Sequence, residues 1–159
     1  MRYENKIDWC YCKSQYKVVE SNDNLAKAYL IKAENSLKAM RNEKDNVEWE
    51  VTAAYYTLYF SIYAIMMKIG VKCENHSCTI EFIKTYLKDN FTDDDIKLLQ
   101  DARDFRNQVQ YYVVTQEELK NYKIVISKVL DLYLKSKSIL LKLNNQRIIE
   151  IRKQVNSRF

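Results

Sequence analysis

The chain has 159 residues, 47% hydrophobic and 30% charged, which excludes a disordered tail and fits one domain around one core. Proline is absent and Gly70 is the only glycine, so the turn-rich β and α/β classes are disfavoured and an all-α fold is expected. The net charge of +5 admits an anionic partner but is far from that of a dedicated nucleic-acid binder. No apolar run reaches the roughly 18 residues of a membrane span, and Met1 to Lys6 holds no apolar run of a signal peptide. A cytoplasmic protein without membrane contact is expected.

Residues 1–20 show no periodicity and read as an irregular segment docking on the body through Trp9, Cys10, Tyr11 and Cys12. A first helix begins near Ser21–Asp23, with Leu25, Ala28, Tyr29, Ala33, Leu37 and Met40 at helical spacing. After a polar turn, Arg41 to Asn46, a second helix opens with Asp45 as N-cap and Glu48 three residues on. It runs to Ile69, where Gly70 supplies a left-handed stop. This helix is apolar nearly all round, from Val51, Ala54, Tyr55 and Leu58 to Tyr56, Tyr59, Phe60 and Tyr63. It must be covered on most sides, by its own bundle or by a second subunit.

A short third helix is predicted from about Ser77 to before Asp89-Asn90, and a fourth from Thr92, whose first turn holds Asp93, Asp94 and Asp95. The fifth begins at the capping box Thr115-Gln116-Glu117-Glu118. Unbroken to Val155 it would be about 60 Å long at ~1.5 Å per residue, so a break is expected at Asn144-Asn145. The predicted organisation is an irregular segment over 1–20, an up-and-down four- or five-helix bundle with a long C-terminal helix over 21–143, and a basic helical extension over 144–159. That extension holds Arg147, Arg152, Lys153 and Arg158 against Glu150 alone, and reads as a solvated helix end.

The run Trp49-Glu50-Val51-Thr52-Ala53-Ala54-Tyr55-Tyr56-Thr57-Leu58-Tyr59-Phe60 resembles the aromatic second helix of small prokaryotic HEPN proteins. Lys68-Ile69-Gly70-Val71-Lys72 followed by His76-Ser77 is similar to their loop into the third helix, and Ala102 to Tyr112 to the helix carrying their signature. The resemblance covers roughly residues 24–135. It implies a helical bundle that dimerises, often as the toxin of a pair with a minimal nucleotidyltransferase antitoxin. Active members are metal-independent ribonucleases with an Arg-x4-6-His motif at the dimer cleft, and no cofactor is implied.

Carried over, Arg106 takes the arginine position, Asn107 the polar position after it, and Tyr111 the histidine position, with Gln110 and Tyr112 as alternatives. The resemblance thus implies Arg106 and Tyr111 as catalytic residues and Arg106, Asn107 and Arg103 as ligands of RNA or nucleotide phosphate. It also implies Tyr111 and Tyr112 as tyrosines that the partner can modify. Arginine suits phosphate because its planar fork binds two oxygens at once. Tyrosine, with a pKa near ~10, is a poor base where histidine would be a good one. On an ideal helix Arg106 and Tyr111 stand about 140° apart, so a helix end near Gln110 or a second subunit is needed to bring them together. The expected activity is binding of RNA or nucleotide phosphate in a homodimer cleft, with ribonuclease cleavage left open by the missing histidine. The alternative is a non-catalytic helical adaptor of a minimal nucleotidyltransferase.

Other readings stand beside these. Arg106 could form an ion pair with Asp101, Asp104 or Glu50, and Tyr111 and Tyr112 could be ordinary packing residues. His76, the only histidine, is expected to cap or pack at the start of the third helix, the alternative being a distant base. Cys73, His76 and Cys78, with Cys10 and Cys12, are weak zinc candidates because their spacing matches no standard finger. Reduced, partly buried thiols are the expected state, with no metal.

Overall fold

The computed structural model describes residues 4–159; the part of the N-terminal expectation that concerns residues 1–3 lies outside them. The fold is all-α, with α1 (Lys6–Cys12), α2 (Asp23–Asn42), α3 (Val47–Ile69), α4 (His76–Tyr86), α5 (Asp93–Tyr111), α6 (Gln116–Lys142) and α7 (Asn145–Asn156). Strands β1 (Tyr16–Val18) and β2 (Val71–Cys73) pair antiparallel, with Tyr16 opposite Cys73 and Val18 opposite Val71.

Each helix starts where a short polar side chain satisfies an orphan backbone N–H. Asn5, Asn22, Asn46, Asn75 and Asn144 cap α1, α2, α3, α4 and α7, and Thr92 and Thr115 form full capping boxes with Asp95 and Glu118 on α5 and α6. The cap of α3 is therefore Asn46 rather than Asp45. Gly70 ends α3 at φ 84°. A Cβ there would lie 2.6 Å from the Val19 carbonyl oxygen and 2.1 Å from Arg152 Nη1, so both the conformation and the space call for glycine.

The all-round apolar character of α3 is explained by its position. It packs against α2, α5, α6 and α7, and Tyr55, Leu58, Ile62, Ile65, Met66 and Ile69 are fully buried. The chain's own bundle thus supplies most of its cover, leaving Trp49 at the first turn 61% exposed.

Residues 4–20 hold a helix and a strand rather than an irregular segment. Cys10 is buried and disulfide-bonded to Cys78 at the start of α4, where reduced thiols were expected. Tyr16, also buried, donates to the Cys78 carbonyl oxygen at 2.8 Å, so the same turn of α4 is held twice.

The break near Asn144-Asn145 is present. It lets α7 turn onto the body, where Ile148, Ile151 and Val155 join the main core, so residues 144–159 are part of the bundle rather than an extension from it. Their arginines are not free for an anionic ligand. Arg152 Nη1 donates to the carbonyls of Val19, Ile69 and Gly70 at 2.7, 2.9 and 3.2 Å. Arg158 pairs with Asp8 at 3.0 Å, and Arg147 with Glu150 at 3.4 Å and Asp89 at 3.7 Å. Among the described residues no helix is long and apolar enough to cross a membrane.

Candidate phosphate-binding site

Three elements meet around the middle of α3. Tyr55 and Tyr59 project from α3, His76 and Ser77 open α4, and Arg103 and Arg106 lie three residues apart on α5. On a helix that spacing puts the two arginines on one face.

Arg106 lies beside the tyrosine pair, its Cζ 5.0 Å from the Tyr55 ring centre and 5.8 Å from that of Tyr56. The π-faces attract the cation but do not neutralise it. Its Nη1 donates to Gln110 Oε1 at 3.1 Å, and its Nε is buried without a partner. None of the anticipated carboxylates reaches it: Asp101 pairs with Lys97, Asp104 with Arg103, and the Glu50 carboxyl is buried and pushed above its ordinary pKa by desolvation. Among the described residues Arg106 makes no ion pair. Arg103 is more firmly held. Its Nε and Nη2 donate to Asp104 Oδ1 at 3.0 and 2.8 Å, and its Nη1 donates to Ser77 Oγ at 2.9 Å, tying α5 to the first turn of α4.

That tie brings the only histidine to the arginines. His76 does lie at the start of α4, but Asn75 is the cap; the imidazole instead bonds through Nδ1 to the Tyr55 hydroxyl. Its ring stacks on Tyr59, with centres 4.2 Å apart and planes 23° apart. Burial, and then the charges of Arg106 and Arg103, hold His76 below its ordinary pKa of 6.5, so it is neutral near pH 7. The Tyr55 phenol is pushed up by burial, against a smaller downward pull from Arg106, and stays protonated. Two guanidiniums, one of them paired with Asp104, thus stand beside a neutral imidazole and a neutral phenol. The N-terminus of α4 adds positive potential on the same side.

The other predicted site residues lie elsewhere. Asn107 is exposed on α5, next to Arg106 in sequence but rotated about 100° from it. The helix runs unbroken through Tyr111, so within one chain Tyr111 points about 140° away from Arg106. Tyr111 and Tyr112 are 76% and 71% exposed, not packing residues, and Val113 beside them is 95% exposed. The zinc candidates do not converge. Cys78 is bonded to Cys10, the buried Cys73 donates to the Asn75 carbonyl oxygen at 3.3 Å, and His76 faces Tyr55. Among the described residues no three His, Cys, Asp or Glu side chains are grouped as a metal site would require.

Sequence reasoning names Tyr55 only as part of an aromatic helix, and Ser77 only as a helix start. The pairing of Tyr55 with His76 crosses from one helix to another, and no local spacing announces it. Comparison of the chain with protein-family profiles and with curated proteins found no match.

Proposed function

We propose that this chain is a HEPN-type RNA-binding protein, the toxin-like member of a pair with a minimal nucleotidyltransferase, and that Arg106 anchors an RNA or nucleotide phosphate. The observation that carries the reading is a partly buried guanidinium with an orphaned Nε and no carboxylate, in a chain where Arg103, Arg147 and Arg158 are all ion-paired. A cation so placed has given up water without gaining a counter-charge, and an incoming phosphate supplies that charge. Arg103, already fixed to Ser77, lends a second charge on the same face. The resemblance of Trp49–Phe60 and Ala102–Tyr112 to HEPN helices gives the class of ligand. Action as a homodimer belongs to the same proposal, supported by the exposed Trp49, Tyr112 and Val113 near one end of the bundle.

The same exposed aromatics favour a second reading, a non-catalytic adaptor that presents them to a nucleotidyltransferase. Tyr111 and Tyr112 are accessible to modification by such a partner. Binding of a fluorescent single-stranded RNA separates the two readings. Loss of a charge-assisted bond worth about 1.5–3 kcal/mol predicts that Arg106→Gln weakens affinity roughly 10- to 150-fold. Equal affinity of wild type and variant, or no RNA binding by either, leaves the adaptor.

A further inference from the structure

We infer that His76, oriented by Tyr55, is the proton acceptor of an RNA-cleaving site, so that the base comes from the first residue of α4 and not from the position five residues after Arg106. The inference deepens the proposed function and rests on its reading of Arg106 as a phosphate anchor.

Tyr55 is the hinge of the geometry. Its ring lies under the Arg106 guanidinium, and its hydroxyl bonds to His76 Nδ1. One buried side chain thus fixes both the imidazole and the cation, and buried Tyr55 has little freedom to move. Stacking on Tyr59 fixes the plane of the imidazole, and the Arg103–Ser77 bond fixes the backbone turn that carries it. The first turn of α4 is further pinned by the Cys10–Cys78 disulfide and by Tyr16. Side chains held this firmly from several helices are what a positioned catalytic group requires.

The bonding also leaves one imidazole nitrogen open. Either partner can donate in the Tyr55–His76 bond; base catalysis uses the tautomer in which Nδ1–H donates to the Tyr55 oxygen and Nε2 carries a lone pair. Nε2 has no hydrogen-bond partner among the described residues. Nε2 is not among the side-chain atoms buried without a partner, which are Arg106 Nε and the Tyr122 hydroxyl, so it is not fully enclosed. The lowered basicity of His76 keeps it unprotonated near pH 7, the form a general base needs.

The chemistry balances without a metal or a co-reactant. With a phosphate held by Arg106 and Arg103, Nε2 takes the proton from the neighbouring ribose 2′-OH. The 2′-oxygen forms a bond to phosphorus as the bond from phosphorus to the 5′-oxygen breaks. The 5′-oxygen receives a proton from the imidazolium, which restores neutral His76. The products are a 2′,3′-cyclic phosphate and a 5′-hydroxyl, and the guanidiniums bear the charge that builds on the phosphoryl oxygens.

The test uses purified full-length protein, mixed-sequence single-stranded RNA and its fully 2′-O-methylated counterpart, both in chelator. Wild type is expected to cleave the first, leaving cyclic phosphates by mass spectrometry, and to leave the second intact. His76→Gln is expected to bind RNA still but to cleave roughly 10²- to 10⁴-fold more slowly. The wild-type rate should rise with pH along a limb whose midpoint lies below 6.5, and this limb should vanish in the variant. If His76→Gln folds poorly, Tyr55→Phe and the wild-type pH limb decide the matter. Tyr55→Phe should slow cleavage at least about tenfold, and added imidazole should partly restore His76→Ala. RNA bound but not cut by wild type, or cut equally by His76→Gln, overturns this inference and leaves phosphate binding standing. No RNA binding at all overturns both.

Discussion

Breaking the Cys10–Cys78 disulfide should cost this protein a large part of its stability. The bond closes a loop across a sequence separation of 68 residues, and so constrains the unfolded chain over nearly half its length. On the chain-entropy account, with a loss of ~2.1 + 1.5R ln n cal/mol/K, a loop of that size stabilises the fold by about 4 kcal/mol at 25 °C. At ~2–4 °C per kcal/mol for a protein of this size, reduction should lower Tm by roughly 8–16 °C. Melts followed by circular dichroism, with and without reductant, read this directly, and Cys10→Ser should melt with the reduced protein. Cys12 is exposed and unpaired, so Cys12→Ser should follow wild type. Two thiols should titrate in the denatured, oxidised chain and four after reduction. Four thiols without reductant, or melts that coincide within about a degree, would refute the reasoning.

In α7, Ile151 is fully buried while Ile149 is 47% exposed. Ile151→Ala should cost about 2–5 kcal/mol in urea unfolding and Ile149→Ala less than about 0.5, and equal effects would mean α7 is not part of the core. His76 gives stability a pH dependence of definite sign. Its folded pKa lies below the ordinary 6.5, so below that pH the unfolded chain binds a proton that the folded chain does not. Stability should therefore be lost as pH falls from 6.5 toward the folded value, by no more than about 1.4 kcal/mol per pH unit, and His76→Gln should flatten this limb. A limb unchanged in the variant would assign it to other groups.

The helical framework was legible because its signals are local. Thr115 announces a capping box three residues ahead, Thr92 opens a helix with three aspartates in its first turn, Gly70 stops a helix where no other glycine competes, and Asn144-Asn145 interrupts an otherwise overlong helix. Even the error at Asp45 is one residue, since Asp and Asn are near-equal N-caps and the pattern could not choose between neighbours. The N-terminal helix escaped because seven residues carry too little periodicity, although Asn5 ahead of Asp8 was its cap in plain sight. The disulfide, the pairing of Tyr16 with Cys73, and the role of α7 in the core depend on contacts between distant segments, which no window along the chain contains. The candidate site divides in the same way. Arg103 and Arg106 could be named from the α5 run, whereas the approach of His76 depends on how α4 is tethered to α5 through Ser77. Tyr111, the position the resemblance implies for the base, lies within one chain on another face of an unbroken α5.

The most direct test of the proposed phosphate site is the salt dependence of RNA binding. Removing one cation that neutralises a phosphate of a single strand should reduce the slope of log K against log salt by about 0.7. Arg106→Gln is predicted to show that drop together with its weaker affinity, and Arg103→Gln a similar one. A slope identical to wild type in Arg106→Gln would mean that no phosphate is held there.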